Sequence, residues 1–205
     1  MKMAEENRRT EHLNHLFVEA CKNCFQDEAD RLSDWYLHHE AKLLESFMGT
    51  IINGLSELHS YQEQGLKGSL TYLQLSFLMN GIYSGENLLK LDFYDTRYYK
   101  DPYDFDCFWD FSMLFPNTKQ HRTQIQQYMK THIPRLMEYE VNERMNTYRM
   151  EQFSIMNQII RLVFQEDRIQ QLIANENDQD IYVMFGTYLG EAGQVRKIAG
   201  RGGTK

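Results

Sequence analysis

The chain has 205 residues, of which 42% are hydrophobic and 25% charged, and its formal net charge is -7. That composition can fill a sizeable core and excludes a wholly disordered chain. The acidic balance argues against general nucleic-acid binding, because a phosphate backbone repels it at long range.

Three cysteines, Cys21, Cys24 and Cys107, are too few and of the wrong parity for a disulfide framework, so a reducing, cytoplasmic compartment is expected. No apolar stretch follows the opening Met-Lys-Met-Ala-Glu-Glu, so no secretory signal is expected. The longest apolar runs fall well short of the ~20 residues that cross a bilayer, and no membrane segment is expected either.

Taken in order, Leu13, Leu16, Phe17, Ala20 and Cys24 recur at helical spacing, and Leu32, Tyr36, His39, Leu43, Phe47, Ile51, Leu55 and Leu58 continue it. Steps of three and four over that many turns predict long amphipathic helix. Gly65 and Gly68 interrupt it. The segment Ser69 to Tyr83 is apolar nearly all round, which predicts a central buried helix with Leu73 and Phe77 in the core. Leu89, Leu91 and Phe93 alternate with Lys90 and Asp92, the period of a short strand. Asp101-Pro102-Tyr103-Asp104 reads as a capped helix start, with the helix ending near Phe115 before Pro116.

From Pro134 to Phe185 there is no glycine or proline, and Ile133, Met137, Val141, Met145, Tyr148, Ile155, Ile159 and Leu162 keep the helical period. A long helix is predicted, with a kink or break near Asn146 to Met150. Its apolar positions between Met137 and Ile159 exceed what one small domain covers, so a homodimer is expected through them. Residues 180–198 read either as a hairpin or as a last amphipathic helix. The alternation of Ile181, Val183 and Phe185 favours the hairpin. The fold class expected is mainly α: a multi-helix bundle with long amphipathic helices and a minor antiparallel β element. Residues 1–199 form a single helical domain in this reading, and 200–205 a flexible basic tail.

Motifs for catalysis or metal binding are scarce. Cys21-Lys22-Asn23-Cys24 lies in helical sequence, with Cys24 on the apolar stripe, and has no second ligand pair. His12, His15, His38 and His39 lack the Glu-x-x-His spacing of carboxylate-bridged metal bundles. Nucleophile elbows and glycine-rich phosphate loops are absent from the sequence. No metal or cofactor is expected.

One segment is chemically distinctive. Between Asp92 and Phe111 stand nine aromatics and six aspartates, against only Arg97 and Lys100. Rings and carboxylates together are what a site for an organic cation requires. Capping and packing account for several of them, but on a helix Asp106 and Asp110 fall one turn apart on the same face. The candidate ligand-binding residues are therefore Asp106, Asp110, Trp109 and Tyr98. The function expected is a non-enzymatic binding module for a small organic cation or a partner protein. The alternatives are a small helical enzyme using Asp106, Asp110 and a histidine, or a structural self-association domain.

Overall fold

The computed structural model describes residues 2–203. Its helices are α1 (Lys2–Glu63), α2 (Gly81–Ser84), α3 (Thr118–His132), α4 (Glu138–Val163) and α5 (Asp167–Ala174). Its strands are β1 (Tyr72–Phe77), β2 (Leu88–Tyr94), β3 (Phe108–Asp110), β4 (Ile181–Thr187) and β5 (Ala192–Ile198). The chain divides into two compact units. A helical unit comprises Met1–His39, Asn80–Asn87 and Ser112–Gln152, and a sheet unit comprises Glu40–Met79, Leu88–Phe111 and Phe153–Lys205.

In the helical unit the periodicity seen in the sequence makes the core. Leu13, Leu16, Phe17, Cys21 and Cys24 of α1 cluster with Ile125 and Met129 of α3 and with Val141, Met145 and Tyr148 of α4. Tyr148 stacks on Phe25 with ring centroids 4.7 Å apart. Of the stripe read in the sequence as a dimer face, Val141, Met145 and Tyr148 are thus buried within the chain, while Met137, just before α4, is exposed. A buried polar network accompanies this core. Arg149 donates from Nη1 to Asn87 Oδ1 and to Gln152 Oε1, each at 2.7 Å. Gln152 Nε2 donates to Thr118 Oγ1 at 2.9 Å. Burial pushes the Arg149 pKa down to about 10, which leaves the guanidinium charged at neutral pH.

The sheet unit corrects the expected fold class. It holds a five-stranded mixed sheet of order β3-β2-β1-β4-β5, so the fold is α+β and not a multi-helix bundle with a minor β element. The residues read as a central buried helix, 69–83, form the central strand β1 and the short α2. A strand buried on both faces loses its alternation and reads as an unbroken apolar run, which periodicity cannot distinguish from a buried helix. β1 is flanked by β2 antiparallel and by β4 parallel. The expected hairpin is present as β4 and β5, and it joins the sheet through the parallel pairing of β4 with β1.

Two further expectations are corrected. No helix forms over 101–115: residues 101–107 are irregular and β3 follows. Asp101 does not cap a helix; its Oδ1 accepts from the Tyr103 N–H at 3.0 Å in a local turn. The break in the long C-terminal helix falls at residues 164–166, between α4 and α5, and not near 146–150. At the chain's end, residues 201–203 form a 3-10 turn, and the Arg201 and Gly202 N–H groups donate to Asn177 and Asp178 carbonyls. Residues 204–205 of the expected tail lie outside the described ones.

One face of the sheet presents Leu73, Leu75 and Phe77 with Leu89, Leu91, Phe93, Trp109, Val183 and Phe185, all buried. Helices cover it. Phe47 of α1 meets Trp109 edge-on at 4.9 Å and Phe164 at 5.6 Å, and Phe153 of α4 stacks on Phe185 at 4.9 Å. Each ring so enclosed contributes about 1.5–3 kcal/mol. Close approach of α1 to β2 depends on Gly54, where an added Cβ would lie 2.3 Å from the Phe93 ring and 3.1 Å from Cys107 Sγ.

Gly54→Ala is therefore expected to destabilise the protein by about 1–3 kcal/mol through overpacking. Gly49→Ala, in the same helix with nothing within 4 Å of its Cβ, is expected to stabilise it by up to about 1 kcal/mol through helix propensity. Urea midpoints of the two variants should move in opposite directions.

Candidate functional site

The other face of the sheet is where the aromatic–acidic segment folds. Strand register places Tyr72, Gln74 and Ser76 of β1 beside Tyr94, Asp92 and Lys90 of β2, and beside Tyr182, Met184 and Gly186 of β4. Because side chains alternate along a strand, all nine positions share this outer face. The turn after β2 brings Tyr98 onto it. Tyr98 holds a left-handed backbone, φ 53°, and its hydroxyl donates to Gln74 Oε1 at 3.0 Å. Its ring lies 4.6 Å from that of Tyr72, 5.4 Å from Tyr94 and 4.1 Å from Tyr99. Tyr72 in turn stacks on Tyr182 at 5.6 Å. The result is a continuous five-tyrosine cluster.

Four of the six aspartates of this segment, Asp92, Asp95, Asp101 and Asp104, are paired with cations of the chain itself. Lys67 is 1% exposed at its side chain, and its Nζ lies 2.7 Å from Asp101 Oδ2. The same ammonium donates to the Phe93 carbonyl at 2.8 Å and lies 5.8 and 5.5 Å from the Tyr94 and Phe105 ring centres. Lys90 Nζ sits 2.6 Å from Asp104 Oδ2 and 2.8 Å from Asp92 Oδ1, with the Tyr188 ring centre 5.6 Å away. Arg97 pairs with Asp95 and, at 3.4 Å, with Asp101, and lies 5.8 Å from the centre of the Tyr103 ring. Carboxylates and rings around an ammonium are the arrangement the sequence suggested for an external cation. Here Lys67 and Lys90 occupy it.

These pairings set the titration of the segment. Burial raises the Asp92 carboxyl to about 6; Lys90 opposes that rise, while the neighbouring Asp104 charge adds to it. Burial by itself would lower the Lys90 pKa, but Asp104 and Asp92 outweigh it and hold the ammonium charged above its ordinary range. Asp95 goes the other way, to about 2, chiefly through its hydrogen bonds from Arg97.

The four candidate residues named from the sequence do not converge. Trp109 is 1% exposed, and its indole N–H donates to Ser46 Oγ at 3.1 Å on the helix-packed side of the sheet. Tyr98 belongs to the tyrosine cluster on the opposite side. Asp106 is exposed and lines an open cavity of about 280 Å³ with Asn53, Ser56, Glu57 and Cys107. Asp110 is exposed on β3, whose register sets it against Leu88. On extended backbone, four residues span roughly 13 Å and not one helical turn. Lys67 and Lys90 escaped the sequence reading, although the placement of Lys90 and Asp92 on one strand face was legible from their spacing of two.

Two of the histidines singled out in the sequence are satisfied within their own helix. His38 and His39 make hydrogen bonds to the Asp34 and Trp35 carbonyls of their own helix, and His39 stacks on Trp35. Burial pushes the Cys21 thiol up to about 12 and Cys107 to about 11, so both stay protonated and poorly nucleophilic. Among the described residues there is no group of three or more His, Cys, Asp or Glu side chains placed to hold a metal ion. Nor is any helix among them long and apolar enough to cross a membrane. Comparison with family models, with curated proteins and with solved structures finds no match to this chain.

Two outcomes are expected from the charge pairs. Lys67→Ala strips Asp101 of its buried counter-ion and should cost about 3–5 kcal/mol in chemical denaturation. For Asp92, the folded-state pKa lies above the ordinary value of 3.8, so the folded chain binds that proton more tightly than the unfolded one. Its contribution to stability is fully present below about pH 4 and is lost as pH rises through about 6. Asp95 contributes in the reverse sense, stabilising above about pH 4 and failing as pH falls toward 2. Melting curves of Asp92→Asn between pH 4 and 7 should therefore lack the decline that wild type shows there.

Proposed function

We propose that the chain is a non-enzymatic binding module that takes a protein partner on the outer face of its sheet. The observation that carries this reading is the exposed apolar side chains distributed over that face: Tyr99 of the tyrosine cluster is 62% exposed, and toward the Lys90 end Phe108 is 41%, Tyr188 48% and, in the β4–β5 turn, Leu189 91%. Tyrosine and other aromatic side chains are the residues enriched at protein interfaces, where they give large contact area for little conformational entropy. A rigid tyrosine stack held by Gln74 and by the strand register is already organised for contact, which lowers the entropic cost of binding.

Charge supports one kind of partner. Asp104, Asp106 and Asp110 are exposed along the side of β3, and the whole chain is negative. A partner surface bearing arginine beside apolar side chains complements that rim, since guanidinium pairs with carboxylates and stacks on aromatic faces. A free organic cation is the less favoured ligand, because Asp106 and Asp110 do not converge and the buried carboxylates beside the rings are paired with Lys67 and Lys90.

Affinity capture with the purified chain, followed by reconstitution with each purified candidate, tests the proposal. Phe108→Ala and Tyr99→Ala are each expected to weaken the reconstituted complex about tenfold or more without lowering the melting temperature. Raising salt should weaken it further, through the acidic rim. A reconstituted complex indifferent to both substitutions would overturn the outer-face reading.

A further inference from the structure

On the helix-packed side of the sheet, away from the tyrosine cluster, a cavity of about 330 Å³ opens between α4 and the β4–β5 hairpin. Phe153, Asn157 and Arg161 line it from α4. Their spacing of four residues sets them one above the other on a single helix face. Phe185 of β4 closes it below, its ring nearly parallel to Phe153 at 4.9 Å and 9°. The far wall is Glu191 and Gly193. Gly193 is the cross-strand partner of Phe185, and a Cβ added there would meet nothing within 4 Å. The space exists because β5 presents a glycine where its neighbours carry side chains.

The polar groups at this cavity are uncommitted. On the other side of the sheet Lys67, Lys90 and Arg97 are each paired with aspartates. Among the described residues, Asn157, Arg161 and Glu191 make no side-chain hydrogen bond or ion pair. One guanidinium, one carboxylate and one amide thus face the same cavity over an aromatic floor.

We propose that this cavity binds a free aromatic α-amino acid. Arg161 takes the α-carboxylate, for which a planar two-pronged donor is suited. Glu191 takes the α-ammonium, Asn157 donates from Nδ2 to the carboxylate or accepts at Oδ1 from the ammonium, and the ligand ring packs on Phe153 and Phe185. Opposite charges at one rim select a zwitterion. A nucleotide or other polyanion meets a single guanidinium and is repelled by Glu191, whereas a simple amine leaves Arg161 without a partner. The volume holds one amino acid with its ring and is at the small end of ligand pockets, roughly 300–1,000 Å³. None of Tyr99, Phe108 or Tyr188 lines the cavity, so this site stands or falls independently of the outer face.

The test is isothermal titration of the full chain with L-phenylalanine, L-tyrosine and L-tryptophan, and with tryptamine and indole-3-propionate as ligands lacking one charge each. At least one of the amino acids should bind saturably, and both single-charge compounds about tenfold or more weakly. Arg161→Gln should weaken the amino acid by a similar factor. Gly193→Val projects three carbon atoms into the cavity from a position where an added Cβ meets nothing within 4 Å, and valine favours strands, so it should weaken binding about tenfold or more and leave the melting temperature unchanged. Absence of heat and of thermal stabilisation with all three amino acids up to roughly 10 mM overturns the proposal. So does undiminished binding in Gly193→Val, or equal binding of tryptamine.

Discussion

The sheet unit depends on one pairing, the parallel alignment of Tyr72–Phe77 with Ile181–Thr187. These segments lie more than a hundred residues apart, and until they meet, β1 has a partner on one edge only. Once they meet, β1 becomes the central strand, buried on both faces. One face then carries Leu73, Leu75 and Phe77 into the helices, and the other presents Tyr72, Gln74 and Ser76. The inner face gains its stability from apolar area removed from water. The outer face receives the turn at Tyr98 and the carboxylates of the segment that follows it.

That second consequence accounts for the unusual chemistry of residues 92–111. Four aspartates sit close together at the sheet, and like charges at such spacing are unfavourable unless they are compensated. Compensation comes from Lys67, Lys90 and Arg97, with rings placed around each cation. An ammonium enclosed by carboxylates and aromatic faces loses less on leaving water than one buried among apolar groups alone. The aromatic–acidic density therefore stabilises the fold from within, and what it leaves for a partner is its exposed margin. The proposed partner surface is that margin, while the cavity beside Gly193 is lined by residues that take no part in these pairs.

The expected site and the observed one differ for a single physical reason. Asp106 and Asp110 converge only if the backbone between them is helical, and the capping signature at Asp101-Pro102-Tyr103-Asp104 suggested that it is. Asp101 instead pairs with the buried Lys67, and the chain beyond it runs irregular into β3. Phe105, Cys107, Trp109 and Phe111 alternate with Asp104, Asp106, Phe108 and Asp110, a period of two already present in the sequence. The helix-start signature masked it.

What the sequence determined by itself is what depends on near neighbours along the chain. The α1 stripe, the core positions Val141, Met145 and Tyr148, the alternation of β2 and the β4–β5 hairpin follow from side chains repeating at the period of their own element. The acidic, aromatic character of residues 92–111 was equally legible. Only the tertiary structure decided that 72–77 is a strand, because an element buried on both faces shows no period. It alone decided which cation meets which carboxylate, and that Phe153, Arg161 and Gly193 border one cavity. Those contacts join residues far apart in the chain, and the hydrogen bonds and ion pairs that hold them leave no imprint on the local order of residues.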